Sequence, residues 1–399
     1  MVIPTRDRLD TLRWSIQTCL TQNYENLTIL VSDNSSVDGT ENFIKSIADP
    51  RVKYINTRRR LGMSQNWEFA LNHVSEGYVF FMGDDDGLLP GAVEKACQIL
   101  SKHNVNALTW RKASYAWPNH IDFPSRNTLS VTLGNNLSIK ESQKMFSRVS
   151  QFDSNLGYLS YEKLPCLYNS FVSIGSVNKT RSRSGVFFCS MNPDIYSAIA
   201  LTHSVEKYLY SEEPLSINGA SSHSNGTSTL KGNEDGATAK FLEEKNIPFH
   251  MDLSFSPSIP LMIAEAIFQV RDNVPGCEHY DVDINRLYIE TNKFLAGLPE
   301  SKQLEVRNSL EKLLKVRNIK ESDLELNKQH QGLAWIIKRI CKRFKYIPSF
   351  ERKFNQDQVS NVYQASLVLD QIRNNEITRV FFLKAWLKNF CTIGYRSKK

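Results

Sequence analysis

Paired cysteines are missing from this chain. Its seven cysteines, Cys19, Cys97, Cys166, Cys189, Cys277, Cys341 and Cys391, stand singly, with no Cys-x-x-Cys and no paired spacing. That pattern excludes a zinc-thiolate site and a disulfide framework and fits a reducing compartment. Long apolar runs are missing too. A membrane-spanning helix needs about 18 or more consecutive apolar residues, and even residues 259–268 are interrupted by Glu265. The opening Met1-Val2-Ile3-Pro4-Thr5 has no basic-then-apolar leader, so a protein that is not exported is expected. What is present is ordinary globular material: 399 residues, 41% hydrophobic and 11% aromatic, enough for two or three domains with real cores. A formal net charge of +7 points to an anionic partner.

The stretch that organises the chain is Tyr78-Val79-Phe80-Phe81-Met82-Gly83-Asp84-Asp85-Asp86-Gly87. Five apolar residues in a row, too few for a buried helix, predict a fully buried strand with carboxylates at its carboxyl end. Adjacent aspartates repel one another and stay ionised together only with positive charge between them or water around them. Hard cations such as Mg²⁺ or Mn²⁺ bind through one or two carboxylates while substrate phosphates fill the remaining positions. In open α/β sheets, ligands bind at the carboxyl ends of strands. The trio therefore suggests a metal-diphosphate site. The plainer reading is an acidic turn in which Asp86-Gly87 reverses the chain.

Residues 1–100 alternate strand and helix patterns, the signature of βαβ units and a largely parallel sheet. Val2-Ile3, residues 27–31 and residues 52–55 read as strands, with helices at 9–22, 41–48 and from Ser64 or Gln65. Asp33 stands at the tip of the second strand, placed either to accept hydrogen bonds from a nucleobase or ribose or to satisfy turn amides. Arg58-Arg59-Arg60 beside the third tip reads as a phosphate contact or a solvated surface. Pro4-Thr5-Arg6, Asp33, Asn56 and the aspartates thus fall on one edge of one sheet.

Pro-Thr-Arg-Asp-Arg at 4–8, Ser-Asp-Asn-Ser-Ser-Val-Asp-Gly-Thr at 32–40, Asn-x5-Gly-x3-Asn at 56–66 and Gly-Asp-Asp-Asp at 83–86 occur in that order. Together they resemble the inverting family 2 glycosyltransferases of bacterial surface-polysaccharide type. The resemblance implies a GT-A fold, Rossmann-like and α/β, with a mostly parallel sheet covered by helices on both faces. It further implies that Thr5 and Arg6 cover a nucleotide base, that Asp33 reads a uracil-like ring, and that Asn66 lies in the helix facing the donor. Asp84 and Asp85 are similar to the aspartates near ribose and diphosphate, and Asp86 to the direct metal ligand of the DxD motif. Arg6 replaces the family's usual aromatic, so stacking on the base would come from its guanidinium plane. Three consecutive aspartates leave the register of the motif open by one.

Residues 101–232 carry more aromatics and turn formers. Trp110, Tyr115 and Trp117 read as core or as rings presented to sugar faces, and the weakly patterned residues 121–160 as an insertion on the acceptor side. Pro193 opens a helix with Asp194 in its first turn, after a strand pattern at 185–191. An inverting transferase needs one carboxylate to take the acceptor hydroxyl's proton. Asp194 resembles that base in related polysaccharide transferases; the alternatives are a first-turn aspartate favoured by the helix dipole or Glu206, Glu212 or Glu213 as base. His223, in the polar loop 216–227, is a candidate second metal or phosphate ligand.

Helical periodicity takes over at 236–245, 258–271, 284–296 and 301–315. Residues 333–347 place Leu333, Ile336, Ile337, Ile340, Phe344 and Ile347 on one side and Lys338, Arg339, Lys342, Arg343 and Lys345 on the other. Residues 380–390 repeat the pattern with Trp386 and Phe390. Such helices suit an anionic membrane surface, or each other, or a partner subunit.

The expected organisation is a catalytic domain at 1–232, with a nucleotide-sugar half at 1–100 and an acceptor half at 101–232, a helical domain at 233–330, and basic amphipathic helices at 331–399. The expected activity is transfer of a hexosyl or N-acetylhexosaminyl unit from a nucleoside-diphosphate sugar, UDP-linked, to a glycan or lipid-linked acceptor. Mn²⁺ or Mg²⁺ is the cofactor expected and an anionic membrane the partner, with no nucleic acid; a homo-oligomer stays open. The setting is cytoplasmic, peripheral on the inner face of the cell membrane. One rival is a sugar nucleotidyltransferase, which would carry a glycine-rich loop with a lysine after the first strand, where this chain has Pro4-Thr5-Arg6-Asp7. The other is a non-catalytic glycan-binding or scaffold protein.

Overall fold

The structure, a computed structural model, describes residues 1–224, 247–324 and 349–375. β1 (Val2–Thr5), β2 (Ile29–Asp33) and β3 (Val52–Asn56) form a parallel sheet in that order, connected through α1 (Leu9–Leu20) and α2 (Thr40–Lys45). Successive strand residues face opposite sides. Val2 and Leu30 pack with Trp67, Ala70 and Leu71 of α3 (Met63–Leu71). Ile3, Ile29 and Val31 pack with Leu12, Ile16 and Cys19 of α1 and with Ala92, Val93 and Ala96 of α4 (Ala92–His103). Both faces are covered, as a parallel sheet requires.

The apolar run 78–82 keeps its expected place beside β1 but not its regularity. Only β4 (Tyr78–Val79) pairs as a strand, and Phe81 makes single bridges to Val2 and Tyr168. Val2 N donates to the Phe80 carbonyl at 2.8 Å and Met82 N to the Val2 carbonyl at 2.9 Å. On its other side Phe81 N donates to the carbonyl of Leu167, which lies in an irregular stretch, so the ladder closes only at points.

Beyond residue 100 the pairing becomes mixed. β5 (Gly87–Leu88), β6 (Ala107–Trp110) and β7 (Ala113–Ala116) are followed by β8 (Thr128–Thr132), β9 (Leu137–Glu141) and α5 (Ser142–Ser150). The segment 121–160 therefore holds two strands and a helix rather than a patternless insertion. Then come β10 (Ser170–Ser173), α6 (Ile174–Lys179), α7 (Pro193–Ala200), β11 (Lys207–Ser211) and β12 (Ser216–Ala220). One sheet runs β4-β10-β6-β11-β9, with β6 and β11 parallel and its other pairs antiparallel. Trp110, Tyr115 and Trp117 are core residues, at most 4% exposed.

The helices Ile259–Asn273, Ile284–Leu295 and Glu300–Val316 follow the periodicity read from sequence. The first of them packs on α7. The helix expected at 236–245 lies outside the described residues, as do both basic amphipathic segments, 333–347 and 380–390. Between those two segments the chain returns to the first domain. β13 (Ser349–Lys353) pairs antiparallel with β8 and completes a sheet of order β13-β8-β7-β12-β5. A helix at 362–375 follows, and Val359, Val362, Ala365 and Leu369 join the core shared with α1 and α4. Asn127 Nδ2 ties the segment down, donating to the carbonyls of Phe354 at 3.1 Å and Val359 at 2.7 Å. Among the described residues, no helix is long and apolar enough to cross a membrane.

Candidate active site

The parallel register lines the strand tips up in one row. Thr5 sits opposite Asp33, and Asp33 opposite Asn56. The aspartate trio joins the row through Thr5, whose hydroxyl donates to Asp84 Oδ2 at 2.8 Å. Arg8, in the same loop, reaches Asp84 Oδ1 at 3.1 Å and the His223 carbonyl at 2.6 Å. All three aspartates are buried, at 6% exposure or less.

Each turns to different partners. Asp84 faces Thr5 and Arg8. Asp85 Oδ2 accepts from the Ser221 amide and hydroxyl, at 3.2 and 2.7 Å, and from the Ser224 hydroxyl at 2.6 Å. Asp86 accepts from the Gly219 amide at 2.7 Å, the Gly83 amide at 3.0 Å and the Tyr168 hydroxyl. Gly219 is required by this approach: a Cβ there would lie 1.8 Å from the Asp85 carbonyl oxygen. Burial, and then the neighbouring charge of Asp85, push Asp86 up to about 7 against those three donors. Burial also raises Asp84, with Arg8 opposing it.

Among the described residues, no three His, Cys, Asp or Glu side chains gather into a ready metal cage. The donor set nevertheless fits a cation that takes few protein ligands and completes its shell from a diphosphate. Asp85 Oδ1 accepts no hydrogen bond from any described residue, while both oxygens of Asp86 are engaged by donors. His223 is not turned toward the trio. Its ring nitrogen lies 3.2 Å from Asp10 Oδ2, and that partnership raises its pKa, which favours a cationic imidazolium over a metal ligand.

The other expected donor contacts are held by the protein itself. Asp33 Oδ1 accepts from the Ser36 amide at 2.9 Å, and Oδ2 from the Tyr54 hydroxyl at 2.6 Å and Asn56 at 3.2 Å. Asn66 Oδ1 accepts from the Ser32 hydroxyl at 2.8 Å, which locks α3 onto β2. Arg6 follows Thr5 in the loop, partly exposed.

Asp194 lies behind a small cavity, touching its lining residues Tyr161 and Cys166, and neither Asp194 nor the trio lines that cavity itself. The cavity is lined by Lys112, Tyr161, Glu162, Tyr168 and Asn169, among others. Tyr161 donates to Asp194 Oδ2 at 3.1 Å on one side, while Tyr168 donates to Asp86 on the other. Between them Lys112 pairs with Glu162 at 2.7 Å, its Nζ standing 5.2 Å over the Tyr168 ring. Burial raises Asp194 above its ordinary value, with Lys112 and Tyr161 opposing. Of the rival bases, Glu212 pairs with Arg111 at 3.6 Å and Glu213 with Lys95 at 2.5 Å, and Glu206 is exposed. Tyr161, Tyr168 and Lys112 escaped the sequence reading because they lie in no motif; Arg8 was visible inside Pro-Thr-Arg-Asp-Arg.

Residues 1–152 match the family model described as glycosyl transferase family 2. That likeness covers less than half of the chain. The match takes in Thr5, Asp33, Asn66 and the aspartate trio and ends before Asp194 and His223. A Campylobacter jejuni protein named GalNAc(5)-diNAcBac-PP-undecaprenol beta-1,3-glucosyltransferase is 33% identical to this chain over 101 residues, 25% of this chain and 33% of that one. The Escherichia coli UDP-Glc:alpha-D-GlcNAc-diphosphoundecaprenol beta-1,3-glucosyltransferase WfgD is 26% identical over 106 residues, 27% of this chain and 42% of its own. The match thus spans about a third of the first relative's length. Among solved structures, TarS of S. aureus superposes with a TM-score of 0.43 at 12% identity, over 74% of this chain and 53% of that one, a likeness too slight to build on.

Proposed function

We propose that the chain is a glycosyltransferase that moves a sugar from a nucleoside-diphosphate sugar, UDP-linked in the first instance, to a lipid-linked glycan in bacterial surface-polysaccharide synthesis. Transfer inverts the anomeric carbon and depends on Mn²⁺ or Mg²⁺. The observation that carries the reading is the pair of tyrosines around one small cavity, Tyr168 bonded to Asp86 and Tyr161 to Asp194, with the Thr5 hydroxyl tying the aspartate trio to the strand tips. The names of the relatives, glucosyltransferases acting on diphosphoundecaprenol-linked sugars, support the choice of donor and acceptor.

The free Oδ1 of Asp85 favours Asp85, one position before the residue the motif suggested, as the direct ligand, with Asp86 as its braced neighbour. When bound, the cation offsets charge that builds on the leaving diphosphate. Thr5 and Arg8 hold Asp84 at the edge of the same site. Asp194 takes the acceptor proton, and its raised pKa brings it nearer the strength a general base needs at neutral pH. A carboxylate on the side of the sugar away from the diphosphate is what inversion demands. A nucleotidyltransferase is disfavoured by Pro4-Thr5-Arg6-Asp7 after β1.

The test is release of UDP from UDP-glucose with Mn²⁺ and a synthetic N-acetylglucosaminyl-diphospho-lipid acceptor. Removal of metal by EDTA should stop turnover, and Asp85→Ala should lower kcat/KM by roughly 100-fold or more. Donor binding that persists with no turnover in the unaltered chain, under any UDP-sugar, would instead favour a glycan-binding scaffold.

A further inference from the structure

Tyr161 belongs to a short 3₁₀ turn, Ser160–Lys163, and is itself only 9% exposed, its ring part of the large core cluster around α7. A buried tyrosine needs a partner for its hydroxyl, and here the partner is Asp194 Oδ2 at 3.1 Å. The next residue, Glu162, holds Lys112 in the cavity lining. One turn of chain therefore sets both the hydrogen bond on Asp194 and the cation nearest to it.

We propose that Tyr161 is a positioning residue for Asp194: its hydroxyl fixes one carboxylate oxygen and leaves the remaining lone pairs for the acceptor hydroxyl. This rests on the assignment of Asp194 as the base. A carboxylate offers about four acceptor directions, so one donated hydrogen bond leaves room for the incoming hydroxyl. The groups that face Asp194 are Tyr161, Glu162 and Lys112 from the turn and from beside β6, together with Cys166, whose thiol donates to the Asp194 carbonyl at 3.3 Å, and Tyr168 beyond them. Tyr161 and Lys112 favour the charged form and Glu162 opposes it.

The test compares the intact chain with Tyr161→Phe, which keeps the ring and its packing. Removing the donor should raise the pKa of Asp194 further. The acid limb of the kcat profile for UDP release from UDP-glucose with the lipid acceptor should then move up by about half to one pH unit. KM for the donor should change little. Selective ¹³Cγ-aspartate labelling reads the same shift without turnover, with Asp194→Asn identifying the resonance. An unmoved limb and an unmoved resonance in a variant with native thermal unfolding would overturn the proposal. Full turnover by Asp194→Asn would instead remove the base assignment on which it stands.

Discussion

Among the described residues, burial pushes Asp86 and Glu265 up to about 7, and the two sit in unlike settings. Asp86 stands at the strand tips among the Gly83, Gly219 and Tyr168 donors. Glu265 is 0% exposed in the helix Ile259–Asn273, where it accepts from the Ser190 hydroxyl at 2.6 Å, from Gln269 at 2.9 Å and from the His250 amide. Burial pushes Glu265 up to about 7. The folded chain then keeps a proton that the unfolded chain gives up near the ordinary glutamate value, so this group's contribution to stability is largest in acid and declines as pH rises toward 7. Glu265→Gln, which keeps the acceptor toward Gln269 and His250, should raise stability at pH 8 by up to about 3 kcal/mol and flatten that decline. Urea unfolding at pH 5 and pH 8 measures it, and an unchanged slope would refute it. The sequence placed Thr5, Asp33, Asn56 and the aspartates near one another because strand tips follow from periodicity alone. It did not place Tyr161 and Tyr168 on the two carboxylates, since Tyr168 lies 82 positions from Asp86 and no local pattern encodes that contact.

At the scale of elements, legibility followed length and regularity. The three helices between Ile259 and Val316 run for several turns, the first buried all round and the other two along one face, and their ends were readable to within about two residues. β8 was overlooked although Leu129 and Val131 alternate with Thr128, Ser130 and Thr132, because five residues between polar turns give a weak signal. β13 was hidden for a different reason: Ser-Phe-Glu-Arg-Lys looks like a charged surface until β8 is there to pair with it. Its segment is structural. Each fully buried aliphatic side chain contributes about 1.5–3 kcal/mol, so removing Val359, Val362 and Leu369 together takes a large share of a typical margin of about 5–15 kcal/mol. A chain ended after residue 375 should melt cooperatively near the full-length temperature. One ended after residue 348 should lose its cooperative transition in the same scan; equal melting of the two would contradict the role assigned to β13.

At the scale of the whole molecule, the described segment 349–375 lies in sequence between the two basic stretches. Two such stretches on one chain offer an anionic membrane two contacts. Bivalent attachment of this kind strengthens binding well beyond either stretch alone, and each Lys or Arg near an anionic surface adds about 1 kcal/mol. The full chain should float with phosphatidylglycerol vesicles and be released by high salt, and a chain ended after residue 375 should float more weakly. Flotation that is indifferent to both changes would direct the basic stretches to a protein partner instead. The closing of the sheet by β13 also bears on synthesis. Asn127 grips the Val359 carbonyl across 232 positions, so the ribosome adds most of those positions before β8 receives its outer neighbour. Until then the nascent domain shows an unpaired edge, the kind of surface that recruits chaperones or aggregates.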